Sequence, residues 1–442
     1  YQDNYYMKNK IIIFIKVILI LVLVIISVKF ILDNNYFKIT EKIYSKHPNL
    51  QYEYRNKLFK RNKSYINNLK NDYNVKFLPE TQFTDLNFVK KKINFSESFK
   101  NTHNENKIKG GYAFRYKSFF LDKYVGGILI TDFYGNTYFV KNKQIINKTS
   151  LDINPLIIKN NLEPTKILDS LVDKNLLFVS YYIEKKGCQL LSVSKAEINM
   201  KEMKFIKVFS SDECGNYVQA GRMVMNIKDK NNNLLLSTTN QTPDKITDRP
   251  QNDDSIFGKV ISINLDNNKS SIYSKGHRNI QGLYIDNDVI ISTEHGPRGG
   301  DEINKIEKGK NYGWPIASYG ETYSKQSQKK TIYLKSHEDN SFVEPIYSFV
   351  PSIGISEIIR LSNNFSTLFQ NNFILTSLFD RSIYRIKFDN SFNKILFKEK
   401  IYINERVRDI KYSNELSVVL LALEEKGELG ILSINNWSIY SG

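Results

Sequence analysis

Residues Asp288 to Gly296 read DVIISTEHG, a short apolar run that starts after an Asn-Asp turn and closes on a glycine. Val289, Ile290 and Ile291 are β-branched and suit a pleated strand, and the run is too short between its turn residues for an ordinary helix. The same texture recurs from about Phe77 onward, in GGILITDFYG, NLLFVSYYI, GRMVMNI, NLLLSTTN, GKVISINL, NFILTSLFD, SIYRIKFD, SVVLLALEE and ELGILSI. No long helical pattern separates these runs, so the chain is all-β. One sandwich needs fewer strands than this. Over about 360 residues the number suits a six-bladed β-propeller, in which each four-stranded blade sends polar loops to one face. There is no sequence period of the WD or kelch kind, so the repeat is one of structure alone.

The strand DVIISTEHG runs directly into the densest piece of the chain, TEHGPRGGDEINKIEKGKNYGWPIASYGETY, from Thr293 to Tyr323. Glu294, Asp301, Glu302 and Glu307 crowd among Gly296, Gly299, Gly300 and Pro297. A loop of this kind gathers hard oxygen ligands for Ca²⁺, and its glycines free the backbone to turn carbonyls toward an ion. The acids do not fall at the alternating positions of an EF-hand loop. With His295 as the one nitrogen ligand and no cysteine near, zinc is excluded. A solvated turn over two buried aromatics is the alternative that spacing leaves open.

Across 442 residues the formal charge is +17. The lysines are spread along the whole chain and no basic block interleaves with stacking aromatics, so nucleic acid is not an expected partner. The two cysteines, Cys188 and Cys214, are either two buried thiols or one disulfide, and the compartment decides between these.

Ile11 to Leu32, IIIFIKVILILVLVIISVKFIL, is long enough to span a bilayer core, with Lys16 and Lys29 placed to snorkel toward its two faces. Lys8 and Lys10 precede it and no small-residue cleavage site follows, which predicts an uncleaved signal anchor with residues 1–10 in the cytoplasm. Residues 33–75, polar and rich in Lys and Asn, read as a stalk. The propeller of residues 76–442 would then lie on the periplasmic or extracellular side of the cell membrane, where an oxidising environment favours a Cys188–Cys214 disulfide.

Three motifs, GHRNIQGL (Gly276–Leu283), EHGPRGGDEIN (Glu294–Asn304) and NYGWP (Asn311–Pro315), resemble in order and spacing the glucose/sorbosone dehydrogenase family of quinoprotein propellers. FGKVISI, TSLFDRSIYRIKFD and ERVRDI extend the likeness over about Val218 to Ile434. The resemblance implies oxidation of a sugar or related alcohol. A hydride would pass to pyrroloquinoline quinone (PQQ), with Ca²⁺ as Lewis acid and a histidine as base. By matching, the carbonyls of Gly296 and Pro297 would face the cofactor's Ca²⁺, and Glu302 with the carbonyl of Tyr312 would serve a second, structural Ca²⁺. Arg278 and Asn279 would contact the quinone, while Arg406 and Arg408 would pair with its carboxylates.

Three matched positions depart from the family pattern. Val218 stands where the catalytic histidine is expected, with Tyr217 and Gln219 on either side. Phe379 replaces a lysine, with Arg381 near it, and Val350 replaces a stacking aromatic, with Tyr347 and Phe349 near it. This leaves His277 and His295, both inside the best-matched motifs, as candidate bases. A second implied reading is a catalytically silent propeller, stabilised by Ca²⁺, that binds a glycan or protein. A third, hydrolysis by a metal-bound water, needs acids converging from several blades on one ion, whereas here they cluster in one loop.

Overall fold

The run Asn233–Ser237, NLLLS, shows why this chain builds a propeller. Leu234 and Leu236 point to one side of their sheet and pack against residues such as Phe178 and Val193 of the preceding sheet. Leu235 points to the other side and packs with Ile280 and Ile290 of the following sheet. Both faces are buried, so the strand is apolar without interruption, and the period of two distributes its residues to opposite interfaces.

The computed structural model describes residues 86–96, 117–215, 219–226, 232–239, 248–321, 333–366 and 369–434. All belong to one compact unit, Leu58–Gly442. They form six sheets, the blades of a propeller, antiparallel except for a two-residue parallel pairing at the outer edge of two of them. The innermost strands are Phe119–Tyr124, Lys166–Asp173, Met223–Asn226, Ile280–Asp286, Ile355–Arg360 and Val407–Ser413, for blades 1 to 6 in chain order. Each touches the next, and the sixth touches the first, so the ring closes. The closure is stitched by the chain itself: Leu86–Ile93 pairs antiparallel with Glu428–Ile434 as the outer strand of blade 6.

Six apolar clusters, one per blade interface, hold the described residues together. A buried Leu or Ile side chain stabilises by roughly 1.5–3 kcal/mol, so the interfaces dominate the cohesion. Hydrogen bonds to carboxylates fix the rotation of each blade. Asp409 of blade 6 accepts from Leu121 N at 2.7 Å, Asp122 of blade 1 from Val172 N at 3.2 Å, and Asp169 of blade 2 from Met223 N at 2.9 Å. Asp301 of blade 4 accepts from Ile353, Gly354 and Ile355 of blade 5 at 3.0, 2.7 and 3.0 Å. A chemical repeat is therefore present where no sequence period is visible.

Cys188, opening the third strand of blade 2, is disulfide-bonded to Cys214, 26 residues on. The anchor expected at residues 11–32 and the stalk at 33–75 lie outside the described residues. Among those described, no helix is long and apolar enough to cross a membrane.

Candidate functional site

In an antiparallel blade the start of the first strand and the turn between the second and third lie at the same end. That end, the front mouth of the axis, collects the sequence-derived residues. His277, Arg278 and Asn279 precede the inner strand of blade 4, and Glu294 to Gly300 form its second-to-third turn. Arg406 precedes the inner strand of blade 6, Arg408 lies within it, and Glu424 opens that blade's corresponding turn.

Glycine permits two close approaches here. A Cβ on Gly276, whose φ is +79°, would meet Asn311 Oδ1 at 2.2 Å, so GHRN and NYGWP can pack together only through glycine. A Cβ on Gly296 would meet the Gly300 carbonyl oxygen at 2.0 Å, so the EHGPRGG turn closes on itself in the same way.

Glu294 clamps the loop that carries the first motif. Its carboxylate accepts from the backbone N–H of Arg278 and from that of Asn279 at 3.2 Å, and it meets His277 Nδ1 at 3.1 Å. His277 is fully buried, bonded through Nε2 to Ser274 Oγ at 2.9 Å and stacked on Tyr312 with ring centroids 4.6 Å apart. These contacts hold it beneath the mouth as a structural ring. His295 sits in the mouth. Its carbonyl accepts from Arg278 Nη1 at 2.8 Å, its Nδ1 lies 3.4 Å from Asn279 Nδ2, and its Nε2 is buried without a hydrogen-bond partner among the described residues. Burial pushes its pKa down to about 4, opposed by Asp301 and assisted by Arg278 and Arg408, so the ring is neutral at pH 7.

Arg406 and Arg408 do come together, and they meet a carboxylate of the chain. Fully buried Glu424 accepts from Arg406 Nε at 2.8 Å and Arg408 Nε at 2.7 Å, and from Ser118 Oγ at 2.8 Å. Burial opposes ionisation, but the two guanidinium groups outweigh it and hold the Glu424 pKa down to about 2. Arg278 lies over the Trp314 ring, 5.3 Å from its centroid. Two guanidinium groups therefore share one carboxylate, and Arg278 stands on blade 4 beside His295, an arrangement suited to an anionic ligand. Trp314 Nε1, like His295 Nε2, is buried without a partner among the described residues. Orphaned donors or acceptors of this kind are what a bound polar ligand satisfies.

The second implied ion has a fitting environment. Burial raises the pKa of Glu302 well above the usual range, and Glu294, Glu344 and Asp301 add to the effect against one hydrogen bond from Asn304. Such a carboxylate lacks a cation, and carbonyls such as that of Tyr312 would complete the ligand set. Among the described residues no three His, Cys, Asp or Glu side chains group around one point, so main-chain oxygens would have to supply most ligands. Asp301 is engaged otherwise, with Gly296 N and the three amides of blade 5. The Pro297 carbonyl accepts a long hydrogen bond from Ser352 Oγ at 3.4 Å.

Val218 and Tyr217 lie outside the described residues, and Gln219 is half-buried. Phe379 is 48% exposed on the front rim, whereas Arg381 is buried and paired with Glu425 at 2.8 Å. Tyr347 and Phe349 do not replace the stacking aromatic, because both pack into the core between blades 4 and 5. Sequence reasoning missed Glu424 and Gln281. Gln281 lies inside the GHRNIQGL motif and Glu424 just after the strand VVLLAL, and only the axial convergence of blades shows their roles.

The site thus joins a six-bladed propeller with a guanidinium-lined axial mouth beside a glycine-rich acidic turn. The chain belongs to the glucose/sorbosone dehydrogenase family, whose model matches residues 120–431. It is 29% identical over 174 residues to the aldose sugar dehydrogenase YliI of Escherichia coli (strain K12), covering 38% of this chain and 45% of that protein. It spans about half the length of the curated relatives it matches. A crystal structure of a glucose dehydrogenase shares the fold at 20% identity and a TM-score of 0.59, covering 73% of this chain and 97% of the other. The PQQ-bound aldose sugar dehydrogenase of Streptomyces coelicolor does so at 15% identity and 0.53, covering 72% and 94%.

Proposed function

We propose that this chain is a membrane-anchored, exported quinoprotein that oxidises a sugar or related alcohol with PQQ and Ca²⁺. The observation that carries the reading is the front mouth, in which Arg406 and Arg408 share the carboxylate of Glu424 while Arg278 lies beside His295 and Trp314. Arg406 and Arg408 would hold the carboxylates of such a quinone, Asn279 and Arg278 would contact it, and the Gly296 and Pro297 carbonyls would serve its Ca²⁺. When bound, the quinone supplies a hydride acceptor and Ca²⁺ polarises it. The chain's own residues hold the anion, exclude water through Trp314 and the blade cores, and orient the sugar at the rim beside Phe379. Residues 11–32 would anchor the propeller on the outer side of the membrane.

One observation favours a second reading, a Ca²⁺-stabilised propeller that binds a glycan or protein without turnover. Val218 stands where a base is expected, and His277 is held beneath the mouth. Loss of a general base costs about 10² to 10⁴ in rate. Titration of the chain with PQQ and Ca²⁺, followed by aldose-dependent bleaching of a dye acceptor, separates the two. Saturable quinone binding with turnover supports the dehydrogenase. Quinone binding without turnover at any aldose supports the silent propeller, and no binding at micromolar quinone overturns the quinoprotein reading.

A further inference from the structure

A chain of side-chain hydrogen bonds crosses the front mouth from blade 6 to blade 4, and its direction is fixed at one end. Arg408 can only donate, and it donates through Nε to Glu424 Oε2 at 2.7 Å and through Nη1 to Gln281 Oε1 at 2.8 Å. With its oxygen so engaged, Gln281 turns its amide nitrogen onward and donates to Asn279 Oδ1 at 2.9 Å. The Asn279 amide nitrogen is thereby the group that faces His295 Nδ1 at 3.4 Å. An N–H₂ facing a ring nitrogen requires that nitrogen to be the lone pair.

We infer that this one-way chain holds His295 as the neutral tautomer with its proton on Nε2, so that His295 donates a hydrogen bond to an oxygen of the bound ligand and does not act as the base. An imidazolium is disfavoured because it would set Nδ1–H against the Asn279 N–H₂. The Nε2 atom is buried and has no partner among the described residues, which is the state of a donor awaiting an acceptor. His277, eighteen residues earlier in the same site, is held the opposite way. Its Nδ1 faces the Glu294 carboxylate at 3.1 Å and its Nε2 faces the Ser274 hydroxyl at 2.9 Å, so its proton sits on Nδ1. The acceptor class is an oxygen, a quinone carbonyl or a sugar hydroxyl. That part alone rests on the quinoprotein reading; the tautomer does not.

Long-range ¹H–¹⁵N correlation spectra of the whole chain with ¹⁵N-labelled histidine read the tautomer directly. The chain has five histidines, and loss of one set of signals in His295→Asn and of another in His277→Gln assigns both rings. The expected pattern is a single proton on Nε2 for His295 and a proton on Nδ1 for His277. An Nδ1–H pattern or an imidazolium for His295 overturns the proposal. Asn279→Asp replaces the donor with a carboxylate and should move the His295 proton to Nδ1. If the pattern stays unchanged in that variant, the chain does not set the tautomer and the proposal fails. His295→Ala should weaken quinone binding by about tenfold, the worth of one hydrogen bond. Unchanged affinity would refute the donor role even where the tautomer is as stated.

Discussion

The front mouth and the deeper part of the propeller axis are built from the same six inner strands and carry differently composed charge networks. At the front, Arg406 and Arg408 flank Glu424, and Arg278 lies beside His295. Toward the rear, Asp122, Asp169, Glu357 and Asp409 surround Arg222 and Lys411. A cavity of about 560 Å³ opens below this rear cluster, at the far ends of the inner strands. At the front two guanidinium groups share the carboxylate of Glu424, whereas the deeper cluster sets four carboxylates against two cations. The difference teaches how one scaffold divides its work. The front guanidinium groups await an anionic ligand, while the rear surplus of carboxylates is absorbed by hydrogen bonds that join blade to blade and by retained protons.

The largest expected effect tests the rear. Arg222 is buried, donates through Nη1 to Asp169 at 2.9 Å and stands 3.3 Å from Glu357. Its Nη2 donates to the Arg408 carbonyl at 3.0 Å, so it also ties the rear cluster to the front pair. Arg222→Met would leave carboxylates buried without their cation, and a loss of about 3–5 kcal/mol in unfolding free energy is expected by urea denaturation. A loss below about 1 kcal/mol would mean that the rear network does not hold the ring together.

The next effect belongs to the front. Glu424→Gln keeps the shape and removes the charge, leaving two guanidinium groups facing a neutral amide. Their side chains are 16% and 17% exposed, so water screens part of the repulsion, and a loss of about 2–3 kcal/mol is expected. If the front is a ligand site, saturating PQQ with Ca²⁺ should restore most of that loss, because the quinone's carboxylates replace the missing one. Restoration should be absent in Arg222→Met. Equal behaviour of the two variants toward the quinone would erase the contrast between the ends.

How much of this was legible in the sequence follows the same division. Strands such as NLLLS and SVVLLALEE declared themselves because both faces are buried, which makes the apolar run continuous. The front motifs were legible because Gly276 and Gly296 are required by backbone contact and Arg278, Arg406 and Arg408 by charge. The rear network was not. Asp122, Asp169, Glu357 and Asp409 lie one to a strand on four blades, and their meeting depends on how the ring closes. Glu424 and Gln281 escaped for the same reason. The sequence also could not distinguish His277 from His295, since both lie in loop motifs. One meets the Glu294 carboxylate and the other an amide, a difference of partners that spacing does not encode.

A smaller effect concerns the ion beside the front mouth. Glu302 is buried among other acids, and a bound cation would relieve it. Adding Ca²⁺ at a hundredfold excess over Kd should stabilise the chain by about 2.7 kcal/mol, read as a rise in Tm that a chelator reverses. Glu302→Gln should abolish most of that rise while leaving the unliganded protein no less stable. A full rise in the variant would move the ion elsewhere.

The smallest effect sharpens the comparison in pH. Burial pushes Asp122 and Glu357 at the rear up to about 7, from ordinary values of 3.8 and 4.5. Between those limits the native state holds more protons than the unfolded chain, so stability falls as pH rises toward 7 and levels off above it. Glu424 at the front behaves in the opposite sense. Its pKa is held down to about 2 from 4.5, so its contribution is complete above pH 4.5 and is lost as pH falls toward 2. From these groups the stability profile should crest near the ordinary carboxylate range and decline on both sides, one limb for each end of the axis. Glu357→Gln should flatten the upper limb, gaining about 1 kcal/mol over the wild type at pH 8 and little at pH 5. It should not alter the lower limb, which only Glu424→Gln removes. An upper limb unchanged in an Asp122→Asn, Glu357→Gln double variant would show that the rear carboxylates are ionised at no cost, and the charge contrast between the two ends would then carry no energetic meaning.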